Sequence, residues 1–149
     1  VNPPPRTLQQ RKQDTLHRLE HDVDGWIATA SPDGTPYLMP LSFLWDGSTL
    51  LLSTAVKNPT ARNLRSSGLV RIGIGLVRDV VLIEGTVQTI ERHEMPTELG
   101  DAFAAKAGFD PRQAKGDYPY FRVRPRLIQA WREVNELKDR DLMRDGRWL

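Results

Sequence analysis

No cysteine occurs among the 149 residues, and that absence removes several chemistries at once. A disulfide scaffold, a cysteine-ligated zinc, an iron–sulfur cluster and a cysteine nucleophile are excluded. Histidine is scarce, with three copies. His17 and His21 would share a helix face near Glu20, but no third ligand is evident, so the pair reads as a solvated face. His93 is isolated and reads as surface. Long apolar runs are missing too. Nothing approaches the roughly 20 residues of a membrane span, and the opening VNPPPRTLQQRK has no signal-peptide core. The expectation is a cytoplasmic protein without an anchor and with no membrane partner. No GKS or GKT marks a phosphate loop, and no G-x-S-x-G marks a nucleophile elbow. Gly73-Ile74-Gly75-Leu76-Val77-Arg78 lacks the third glycine of a dinucleotide fingerprint and leads into a strand rather than a helix. Charge of one sign is lacking as well: 21 Lys+Arg against 19 Asp+Glu leave +2, too little to argue for nucleic acid.

What is present is an ordinary globular composition, 39% hydrophobic and 27% charged, at a length that suits one domain over residues 1–149. The three prolines of residues 3–5 predict a poorly ordered lead-in over 1–6. Thr7 and Gln10 read as the cap of a helix over 8–21, with Leu8, Leu16 and Leu19 as its sparse apolar stripe. From residue 25 the rhythm becomes that of strands and tight turns. Strands are expected over 25–31, 36–45, 49–54, 69–76 and 80–90, with hairpin signals at Pro32-Asp33-Gly34 and Asp46-Gly47. A short helix near 60–66 follows Pro59, and a helical stretch interrupted by Pro96 lies in 91–107. Residues 108–119 form the one long irregular segment, a lid by its length. A last strand, broken by Pro125, spans 120–123 and 127–131. The tail over 132–149 carries Leu142, Met143, Trp148 and Leu149 and should dock on its own subunit or a neighbour. Six or so antiparallel strands with small helices make a mostly β fold, closed as a barrel to hide its edges. Residues 112–149 carry ten basic and six acidic side chains, either a solvated face or a positive rim for an anionic small molecule.

With no nucleophile, metal set or acid–base pair, chemistry would have to come from a bound cofactor. Here the stretches WIATASPDGTP, PLSFLWDG, LLST and TARNLR, in that order, resemble the opening hairpin, second strand, third strand and short helix of the pyridoxamine 5′-phosphate oxidase-like proteins. These are flavin- or deazaflavin-binding split β-barrels, and the likeness covers roughly residues 15–130. The resemblance implies that the third strand and following loop bind a cofactor phosphate. A loop leading into a helix N-terminus offers unpaired N–H groups for an anion. Ser53, Thr54, Asn58, Thr60 and Ala61 would line that place, and Arg62 would supply a fork of donors. Flavin-binding and many deazaflavin-binding relatives usually carry a lysine where this chain has Thr60; Lys57 stands three residues earlier as a candidate replacement. By the same resemblance Pro40, Leu41 and Ser42 approach the cofactor ring, and the cofactor lies between two barrels of a homodimer.

The pattern looks closer to the small deazaflavin-using branch than to the longer true oxidases. It implies an oxidoreductase that moves a hydride from reduced coenzyme F420 to a small organic substrate. Alternatives are an FMN-binding oxidase or reductase, and a non-catalytic barrel that carries a tetrapyrrole; no histidine falls in the groove to ligate haem.

Overall fold

The computed structural model describes residues 2–149. Among them, nine strands form one antiparallel sheet, ordered β2-β1-β5-β6-β7-β4-β3, with β8 and β9 attached beyond β7. The elements are α1 (Leu8–His21), β1 (Asp24–Ala30), β2 (Pro36–Ser42), β3 (Leu44–Trp45), β4 (Leu50–Ser53), α2 (Pro59–Ser67), β5 (Leu69–Leu76), β6 (Asp79–Ile90), α3 (Thr97–Ala107), β7 (Tyr120–Trp131), β8 (Asp141–Arg144) and β9 (Arg147–Trp148). The fold is the expected split barrel, mostly β.

Period-two alternation puts Ile27 of β1, Val70, Ile72 and Ile74 of β5, and Val81 and Ile83 of β6 into one core. Leu19 of α1 and Ala61 and Leu64 of α2 plug it from outside the sheet. The Pro32-Asp33-Gly34 turn behaves as its residues dictate. Gly34 sits at φ +85°, and Ser31 N donates to Thr35 O at 3.0 Å, fixing the β1–β2 register.

Four expectations needed correction. The strand over 36–45 is two strands: β2 pairs with β1, whereas Leu44–Trp45 pairs with β4. Phe43 is wholly buried at the corner between them, its N–H on Val23 O at 2.9 Å, and this bend carries the chain from one sheet edge to the other. Pro125 does not break β7. It sits opposite Gly85 where the β6–β7 register shifts, and a bulge absorbs its missing donor. On α1, Leu8 stays exposed and the buried row is Arg11, Thr15 and Leu19. The lead-in is tethered rather than loose: Asn135 Nδ2 donates to Pro3 O at 2.8 Å, and the Arg6 guanidinium pairs with Glu136 at 2.8 Å and Asp14 at 3.0 Å. Val1 lies outside the described residues.

The tail docks on its own barrel. Its strands β8 and β9 extend the sheet beside β7 and bury Leu142 and Met143.

Candidate cofactor site

Helix α2 starts without a side-chain cap. Asn58 holds the N-cap position, but its Nδ2 donates to Thr54 Oγ1 at 2.8 Å instead of serving the helix. Pro59, at the first position, has no N–H to cap. The N–H of Arg62 already donates to Asn58 O at 3.1 Å, so the free donors belong to Thr60 and Ala61. Thr60 is 2% exposed, and its Oγ1 has no hydrogen-bond partner among the described residues. Two backbone donors and an orphan hydroxyl therefore meet at the positive end of a helix dipole. An oxyanion completes such a donor set, so its chemistry fits a cofactor phosphate, although Thr60 and Ala61 are buried and line neither of the recesses beside it.

The other expected residues divide. Arg62 is exposed and, with Pro36, Tyr37 and Pro59, lines a recess of about 400 Å³ between α2 and the β1–β2 hairpin. Pro40, Leu41, Ser42 and Ser53 line a second recess of about 340 Å³, closed on its far side by Phe103, Ala107 and Phe109. Strand β2 borders both. Lys57 is exposed and lines neither, and Ala61 lies in the core, leaving only its N–H for a ligand. The Ser53 hydroxyl is committed to Pro119 O at 2.9 Å.

Sequence reasoning missed Asp24, whose Oδ1 accepts the Ser42 hydroxyl at 2.6 Å inside the second recess. With its proton held by Asp24, Ser42 Oγ faces a ligand chiefly as an acceptor. The hairpin register pairs Asp24 with Ser42, so the turn alone carried the signal. Phe103 and Phe109 had no such signal, because α3 and the segment after it reach the recess only through tertiary folding. Beside the corner, Lys106 Nζ lies 5.0 Å over the Phe43 ring; burial pushes its pKa below the usual lysine range, with Asp22 opposing the shift.

The segment 108–119 is stitched down, unlike a free lid. Arg92 Nη1 donates to Pro111 O at 3.2 Å and Ala114 O at 3.0 Å, and Val56 N donates to Asp117 O at 2.9 Å. Phe109, which packs against Tyr118 at 5.2 Å, lines the second recess from this segment. His17 and His21 stack at 4.1 Å, with His21 Nδ1 on His17 O, which fits a helix face better than a metal pair.

A family model described as pyridoxamine 5′-phosphate oxidase matches residues 16–132, from mid-α1 to just past β7. The chain belongs to this family. Solved structures with the same fold include an F420 reductase, 24% identical over 75% of this chain and 93% of its own, at a TM-score of 0.61. A candidate pyridoxamine 5′-phosphate oxidase of Listeria innocua is 18% identical, covering 84% and 98%, at 0.65. HutZ, the heme storage protein of Vibrio cholerae, is 16% identical, covering 80% and 93%, at 0.64. Comparison with curated proteins gives no match. Within this pyridoxamine 5′-phosphate oxidase-family chain the matched span contains both recesses and α2, whereas β8 and β9 fall beyond it.

Proposed function

We propose that this chain is an oxidoreductase that binds coenzyme F420 in the groove along β2 and reduces a small organic substrate there. The observation that carries the reading is the uncapped start of α2, where the Thr60 hydroxyl and two N–H groups lack partners among the described residues. When bound, the reduced deazaflavin supplies a hydride. The chain's own work is holding and shielding. Thr60 and Ala61 would hold the phosphate, and Arg62 would add a charged fork at its edge. Pro40 and Leu41 would border the ring, Ser42 would accept from it, and Phe103 and Phe109 would keep water out. A second copy of the chain, seated on the outer sheet face, would complete the groove as a homodimer.

FMN is the second reading, since its phosphate has the same needs; threonine in place of a lysine at position 60 speaks against tight FMN binding and, since many deazaflavin-binding relatives share the lysine, bears on F420 as well. A tetrapyrrole carrier is the third, supported by the fold shared with HutZ. Neither recess contains a histidine to ligate haem iron.

Titration of the purified protein with F420, FMN and haem, followed by absorption and fluorescence, separates these readings. The expected result is saturable F420 binding, weakened about tenfold in Arg62→Ala, and substrate-dependent oxidation of reduced F420. Saturable binding of FMN or haem with none of F420 overturns the proposal.

A further inference from the structure

A separate cleft shares no residue with the recesses along β2. It measures about 700 Å³ and lies between the first turn of α1 and the tail, with Thr7, Leu8, Arg11, Lys138, Arg140 and Arg144 among its walls. Its charges do not balance. Arg144 is paired with Asp141 at 3.0 Å and Arg6 with Glu136 at 2.8 Å, which neutralises those two. Arg11, Lys138 and Arg140 have no carboxylate within ion-pair distance among the described residues.

Arg11 is the decisive member. It is 4% exposed, deeper than an arginine ordinarily goes without a counter-ion. Among the described residues its Nη1 reaches only carbonyl oxygens, Asp139 O at 2.5 Å and Ala130 O at 3.4 Å, and its Nε has no partner. Carbonyl dipoles orient a guanidinium but leave its full charge uncompensated, and a buried charge in that state is costly. The first turn of α1 adds the positive end of its dipole on the same wall. Arg140 is held in place by Leu137 O at 3.0 Å and by the Trp131 ring, 5.8 Å from its guanidinium carbon. That fixes a second cation before any ligand arrives.

We propose that this cleft is a second anion site, independent of the cofactor groove, which takes a small polyanion bearing two or more phosphate or carboxylate groups. One anionic group answers Arg11 at the base and another answers Lys138 and Arg140 at the rim. The ligand bridges α1 to the tail, so binding stabilises the docked tail by linkage.

Pyrophosphate and citrate are the probes, measured by calorimetry and thermal unfolding at fixed ionic strength against sodium chloride. Arg11 is too deeply packed for a clean test, so the rim, exposed Lys138 and half-buried Arg140, is altered in the double variant Lys138→Ala/Arg140→Gln, with Arg62→Ala as the control at the cofactor groove. Saturable binding of either probe is expected, naming phosphate or carboxylate as the favoured group. It should weaken about tenfold in the rim variant and stay unchanged in Arg62→Ala. The proposal is overturned if neither probe exceeds the chloride control. It is equally overturned if the rim variant binds like the parent, or if Arg62→Ala loses as much affinity as the rim variant.

Discussion

Thr60 concentrates the trade between stability and binding in one side chain. Its hydroxyl is buried without a hydrogen bond, a condition that costs roughly 1–3 kcal/mol in a protein interior. Valine has nearly the same shape and no polar atom to satisfy. Thr60→Val should therefore raise the stability of the ligand-free protein by about 1 kcal/mol, read from urea unfolding. The same change should weaken F420 binding about tenfold, because the phosphate would lose a donor. Stability and affinity moving together, in either direction, would show that the hydroxyl has no ligand to serve. The threonine was legible as a departure from the family's usual lysine, but its burial was not. Whether a residue at the second position of a helix points into the core depends on how that helix docks on the sheet.

Strands and their turns were the most legible elements, because hairpin chemistry is local. Leu69–Leu76 forms over the expected bounds, and the Pro32-Asp33-Gly34 turn sets the β1–β2 register by itself. The misses are places where distant parts of the chain decide. Nothing near Phe43 says that the sheet must turn there, and Pro125 looks like a strand breaker until the bulge opposite is seen. That bulge rests on Gly85: a Cβ there would meet Val123 Cγ1 at 2.7 Å and Arg124 O at 2.8 Å. Backbone cannot yield as a flexible side chain does, so Gly85→Ala should destabilise the fold by roughly 1–3 kcal/mol in urea unfolding. Full stability would mean that β6 and β7 can part without cost. The tether between lead-in and tail has its own signature in pH. Hydrogen bonding from Arg6 holds the Glu136 carboxyl down at about 2, against an ordinary 4.5. A depressed pKa stabilises the fold above the ordinary value and loses that contribution as pH falls toward the folded one. Glu136→Gln should cost roughly 2 kcal/mol at pH 7, and its deficit against the parent should shrink steadily between pH 4.5 and pH 2. A deficit independent of pH would assign the loss to packing instead of charge.

At the scale of the whole molecule, the outer face of the sheet remains unexplained by one copy of the chain. Trp26, Leu38 and Leu69 are 54%, 57% and 61% exposed, on three neighbouring strands. Trp26 pairs in register with Gly73, and Gly73 with Leu82, so an apolar shelf runs across β1, β5 and β6. The Arg71–Glu84 pair, 3.1 Å apart, separates Leu69 from this row, and exposed apolar side chains gathered on one sheet face mark an interaction surface. Edge-to-edge pairing is disfavoured on β2, where Pro36 and Pro40 remove backbone donors. A partner would therefore arrive face-on, and a second copy supplies the same shelf by two-fold symmetry. Leu38 is the residue to change, since it projects from β2 without supporting the core. Leu38→Glu would place one unpaired carboxylate in each half of the interface, so the dimer dissociation constant should rise at least about a hundredfold. Sedimentation at matched concentrations reads that shift, with unfolding by urea as the control for an intact monomer. A parent protein that sediments as a monomer, or a variant that stays dimeric, would remove the second copy from the cofactor groove. A monomeric variant that also loses F420 would tie the groove to the paired state, because Leu38 lines neither β2 recess in a single copy.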